Sequence, residues 1–181
     1  GPTHYQLFHR SINKIGIKIV GFDFVNCQKD SVPKTFLDIK KGIEEVKPEV
    51  VFITNPNNPN GIYYDSKVVR ALVEFCKIKK IHIIIDEIQD FFSIENKGLK
   101  YNKWIQAPHV IRINSYSKKR GLSEYRVGWV IADQSILGNR VKGVIGRLSG
   151  LMGNAPRAAN TAIIKLLDLE KEYILTGKNY F

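Results

Sequence analysis

Residues 81–85, IHIII, run straight into Asp86 and Glu87, and this constrains the chain more than any other stretch. A run that is apolar on both faces reads as a strand in the middle of a parallel sheet, with helices on each side. Two other apolar runs stop just as abruptly. VVFIT at 50–54 leads into Asn55-Pro56-Asn57-Asn58-Pro59-Asn60-Gly61, and HVIRI at 109–113 leads into Asn114, Ser115, Ser117 and Lys118. In an open α/β sheet, ligands bind in the crevice beyond the carboxyl ends of the strands. If these three strands are parallel neighbours, an amide, a carboxylate and a lysine flanked by hydroxyls meet there.

The rest of the chain supplies the helices that such a sheet needs. Tyr5, Phe8 and Ile12 predict a short helix over 3–14, and IKIVGFDFV predicts a strand over 17–25. Phe36, Ile39, Ile43 and Val46 share one helical face over 35–46, which Lys47-Pro48 ends because proline cannot continue a helix. The prolines, asparagines and glycine of 55–61 forbid regular structure. From Asp65, a good N-cap, Val68, Val69, Leu72, Val73 and Cys76 form an apolar face leading to Lys80. Residues 91–108 are less regular, 126–132 (RVGWVIA) predict one more strand, and 135–148 and 156–173 predict helices separated by a break at 150–156. Strands alternating with helices argue for an α/β doubly wound fold in a single domain.

Composition narrows the function. With 44% hydrophobic and 25% charged residues, the chain belongs among folded globular proteins and not disordered ones. No apolar run approaches the roughly 20 residues that span a bilayer, so no membrane partner and a cytoplasmic location are expected. Cys27 and Cys76 have no CxxC or Cys/His spacing, so no metal site and no disulfide framework is expected. The net charge of +11 is scattered through the chain without an RNA-binding or zinc-finger signature. A solvated surface or a phosphate pocket explains it better than nucleic acid.

An apolar strand ending in two acids also suits the magnesium-binding segment of a nucleotide hydrolase, but the chain contains no GxxxxGK[ST] phosphate loop. Taken together, NPNNPNG at 55–61, IIIDE at 83–87 and SYSKKRGLSEYRVGW at 115–129 resemble the fold-type I pyridoxal-phosphate enzymes, specifically the class I and II aminotransferase family. The likeness extends through Pro2-Thr3-His4 and Asn154-Ala155-Pro156, and so covers nearly the whole chain. It implies a three-layer αβα fold with a mostly parallel sheet, the large-domain type of the pyridoxal-phosphate transferases. It also implies pyridoxal 5'-phosphate as cofactor, amino acid and keto acid substrates, and a homodimer.

Residue by residue, Lys118 matches the lysine that forms the Schiff base with the cofactor and then moves a proton. Asp86 matches the carboxylate that keeps the pyridine nitrogen protonated, and Asn58 the amide that donates to the phenolic oxygen. Ser115, Ser117 and Arg126 match positions around the phosphate, where hydroxyls and a guanidinium fork suit a dianion. His4 stands where the family usually stacks an aromatic residue on the cofactor ring. Gln89 replaces the tyrosine of the family's Asp-x-x-Tyr, so a lyase or decarboxylase of the same fold is the close alternative to an aminotransferase. Relative to the family pattern, residues 1–181 look like part of the large domain. The N-terminal segment with its phosphate loop and the C-terminal small domain are both missing. A non-catalytic fragment is the alternative from another class.

Overall fold

The computed structural model describes residues 16–20, 36–58, 61, 63–90, 107–119, 121–138 and 156–176. The helix expected at 3–14 lies outside them. Of the strand expected at 17–25, residues 17–20 form no regular element and 21–25 lie outside the described residues.

Helix α1, Phe36–Val46, buries Ile39 and Ile43, four residues apart on one face. Its end is set by Lys47, which takes φ 50° and donates its N–H to the Ile43 carbonyl at 2.8 Å, with Pro48 next. Strand β1, Val50–Thr54, follows at once. Helix α2, Ser66–Lys79, begins where the Asp65 carboxylate accepts the Lys67 N–H at 2.7 Å. It ends at Lys80, a left-handed cap whose N–H reaches the Cys76 and Lys77 carbonyls. Val69, Leu72, Val73 and Cys76 are its buried stripe, as the 3.6-residue period of the sequence requires.

Strands β2, His82–Asp86, and β3, Val110–Ser115, complete the parallel part of a four-stranded sheet of order β1-β2-β3-β4. Strand β4, Gly128–Ile131, runs antiparallel to β3. Side chains alternate across a strand, so Val51, Ile53, Ile83, Ile85 and Val110 share one face. They form one core cluster with the stripes of α1 and α2. Each of these nearly water-free aliphatic side chains contributes about 1.5–3 kcal/mol. On the other face Phe52, Ile84, Ile111 and Ile113 are half-buried.

The later elements differ from the sequence reading. Arg126 lies outside β4 in a left-handed conformation, φ 54°, so the strand expected at 126–132 is shorter. Of the helix expected over 135–148, residues 135–137 belong to α4, Gln134–Leu137, which ends at Gly138, and 139–148 lie outside the described residues. At φ 66°, ψ −163°, Gly138 has left the helical region, and its N–H closes on the Gln134 carbonyl at 2.8 Å. The last helix, α5, spans Arg157–Thr176. Between β3 and β4 lie α3, Tyr116–Lys119, and a 3-10 turn, Ser123–Tyr125.

Candidate active site

Parallel pairing places the carboxyl ends of β1, β2 and β3 along one edge of the sheet. Thr54 stands level with Asp86, and Asp86 with Ile113. The ladder continues past the strand ends, because the Asn55 N–H donates to the Asp86 carbonyl at 2.8 Å and the Glu87 N–H to the Ile113 carbonyl at 2.9 Å. Strand β4 is antiparallel, so its beginning returns to the same edge, with Gly128 opposite Ser115. Six candidates thus gather on one edge: Asn58, Asp86, Ser115, Ser117, Lys118 and Arg126. His4 lies outside the described residues.

The backbone turns at this edge are held by their own polar side chains. After β1 the Asn55–Pro56 peptide is cis, and the buried Asn55 accepts the Tyr64 N–H at 2.9 Å on Oδ1. Thr54 Oγ1 donates to Asn57 Oδ1 at 2.9 Å and accepts the Asn58 N–H at 3.3 Å, which fixes the backbone of half-buried Asn58. After β3 the buried Ser115 hydroxyl accepts the Ser117 N–H at 3.2 Å. This turns the chain into α3, where Ser117 is half-buried and Lys118 exposed. Tyr116 packs on Trp129 with ring centroids 4.9 Å apart, and so anchors α3 to β4. Arg126 is exposed, and its Nη1 donates to the Ser123 carbonyl at 3.1 Å, not to the serines.

Asp86 is half-buried, and its Oδ1 accepts the Ile88 N–H at 3.0 Å. Among the described residues its other oxygen takes no hydrogen bond. Burial pushes the Asp86 carboxyl above its ordinary value, and the Ile88 hydrogen bond offsets part of that. Alternation puts Thr54, Asp86, Ile113, Ser115 and Gly128 on the same face. Gly128 adds no side chain there: a Cβ would stand 2.9 Å from the Asn114 carbonyl oxygen and 3.3 Å from Ser115 Cβ.

Two site neighbours escaped the sequence reading. Arg112 pairs across the strands with Ile85, on the face opposite Asp86, and grips Glu87 with both prongs. Nε reaches Oε2 and Nη2 reaches Oε1, each at 2.7 Å, with both side chains buried. Burial pushes the Glu87 carboxyl up; the Arg112 hydrogen bonds and charge pull it back, while Asp90 and Asp86 push it up further. The available signal was an arginine at an inward position of an otherwise apolar strand. Thr54, which orders the turn before Asn58, carried no signal beyond closing a strand.

An open, mostly parallel sheet with polar groups gathered at its carboxyl edge is the architecture at which α/β domains place their ligand crevices. The family model for aminotransferase class I and II matches residues 2–175, and the chain belongs to that family. It is 32% identical over 94 residues to an aspartate aminotransferase of Sulfurisphaera tokodaii, covering 50% of this chain and 23% of that one. It is 26% identical over 178 residues to a histidinol-phosphate aminotransferase of Buchnera aphidicola, covering 98% of this chain and 44% of the relative. Among solved structures, a double mutant of Thermus thermophilus aspartate aminotransferase superposes with TM-score 0.77 at 16% identity, over 93% of this chain and 42% of that one. That likeness shows the fold. The chain spans less than half the length of these relatives.

Proposed function

We propose that this chain is part of the cofactor-binding large domain of a pyridoxal-phosphate-dependent aminotransferase acting on an amino acid and a keto acid. The observation that carries the reading is the convergence of Asn58, Asp86, Ser115, Ser117, Lys118 and Arg126 on one sheet edge in a chain of this family. The donor set suits the group. A half-buried carboxylate with one oxygen unclaimed among the described residues matches a ring nitrogen. Two hydroxyls with a nearby guanidinium match a phosphate.

When bound, pyridoxal phosphate supplies an aldehyde and an electron-withdrawing ring that accepts charge from the substrate's Cα. The ionised Asp86 holds the proton on the ring nitrogen, and the positive partner offsets the cost that burial imposes on the carboxylate. Asn58 orients the ring through its phenolic oxygen. Ser115, Ser117 and Arg126 anchor the phosphate, Arg126 by exchanging the Ser123 carbonyl for an anion. Lys118 would hold the cofactor through its amine, and that amine, when free, would carry the proton from the substrate's Cα to the cofactor's C4' atom. By the family resemblance, His4 would stack on the ring.

The complete protein is proposed to be a cytoplasmic homodimer. The family resemblance supports this, and no described helix is long and apolar enough to cross a membrane. The test is to mix the purified chain with pyridoxal phosphate, record the visible band, reduce with borohydride and locate the modified lysine by mass spectrometry. Modification confined to Lys118, and lost in Asp86→Ala or Arg126→Ala, is the expected result. Scattered modification of surface lysines, or none, refutes cofactor binding by this chain.

A further inference from the structure

The Glu87–Arg112 pair lies immediately behind one of the six candidates. Glu87 follows Asp86 in the chain and points to the opposite face. Arg112 sits on β3 opposite Ile85, one position short of the level of Asp86 and Ile113. The side chains of the pair are 4% and 5% exposed. Stability alone gives no reason for an ion pair there, since a well-packed apolar pair is often as stable or more so. The nearby charges suggest another role. Among the described residues, the charged groups acting on Glu87 are Asp86 and Asp90, from β2 and the turn after it, and Arg112, from β3; β1 and the turn after it bring the neutral Thr54 and Asn55. Without a cation beside it, a charged Glu87 one residue from Asp86 disfavours the ionised form of its neighbour, as each like charge does for the other.

We propose that Arg112, by neutralising Glu87, is a positioning residue that keeps Asp86 as the ionised carboxylate at the sheet edge. The proposal rests on the cofactor reading for its purpose, because the ring nitrogen needs that charge. Its test does not. The carboxyl carbon of Asp86 is followed by carbon-13 NMR against pH in the cofactor-free full chain, with Asp86→Asn assigning the signal. Arg112→Gln leaves Glu87 uncompensated and is expected to move the Asp86 midpoint up by about one pH unit or more. Glu87→Gln leaves a buried cation and is expected to move it down by a similar amount. Both substitutions break the same clasp between strands, so a merely structural role moves both midpoints the same way or not at all, and either result overturns the proposal.

Should loss of the Arg112 charge unfold the chain, Arg112→Lys decides the matter. It keeps the charge and loses the two-pronged grip, so adding Glu87→Gln to it is still expected to move the Asp86 midpoint down by about one unit, and a double variant whose midpoint matches that of Arg112→Lys alone overturns the proposal. A chain that shows the opposed shifts but never develops the cofactor band upholds the pair and refutes the cofactor reading.

Discussion

Gly128→Ala probes the site and the strand register together. The backbone of Gly128 needs no special conformation, so any cost comes from space. The new Cβ would stand 2.9 Å from the Asn114 carbonyl oxygen, where ordinary contact begins near 3.4 Å, and 3.3 Å from Ser115 Cβ. The carbonyl is main chain and cannot rotate aside, so β3 and β4 must part by a few tenths of an ångström. Overpacking of this kind costs about 1–3 kcal/mol. At roughly 2–4 °C per kcal/mol for a chain of this size, the melting temperature falls by about 2–12 °C. Because the strain falls on Ser115, the visible band formed with pyridoxal phosphate weakens as well. The assays are thermal melting without cofactor and titration of that band with it. Gly121→Ala is the control: Gly121 has φ +66° and open space around it, so alanine there costs stability through the backbone and leaves Ser115 in place. Wild-type melting and a wild-type band in Gly128→Ala would refute the pairing of Gly128 with Ser115.

Other expectations follow from burial. Asp86 has its proton affinity raised in the folded state, so the protonated form stabilises the fold below the ordinary value of 3.8, and that gain is lost as pH rises through the folded midpoint. Asp86→Asn therefore melts higher than wild type at pH 7 without cofactor, the difference vanishing in acid, while its cofactor band is lost. Burial pushes the Cys76 thiol up to about 12. In a Cys27→Ser background, thiol reagents at pH 8 label Cys76 only after urea unfolds the chain; labelling in the folded state would contradict its burial. Leu72, 1% exposed, sits in the middle of the α2 stripe, and Leu72→Ala costs about 2–5 kcal/mol by urea denaturation.

The central βαβ unit was readable because each boundary has a local chemical cause. Asp65 caps α2, Pro48 follows the end of α1, and the apolar runs of β1 and β2 are too short and too uniform for anything but buried strands. Much of the candidate site was readable for a related reason: Asn58, Asp86, Ser115, Ser117 and Lys118 follow the ends of parallel strands, whereas Arg126 reaches the same edge only through antiparallel β4 and His4 lies outside the described residues. What escaped depended on partners distant in sequence. The direction of β4 is set by pairing with β3, and four residues with little burial carry almost no pattern. Gly138 ends α4 through its own backbone conformation, which apolar spacing does not register. Arg112 acquires meaning only once β2 brings Glu87 beside it.

At the opposite rim of the sheet the strands are stitched to a helix. The His109 ring bonds the Val73 carbonyl at 2.8 Å, and the Ile81 N–H bonds the Cys76 carbonyl at 2.8 Å, so the entry points of β3 and β2 are both tied to α2. This rim is therefore fastened to a helix independently of the candidate site. A change as slight as His109→Phe would work loose the seam and leave the polar groups of the opposite edge in place.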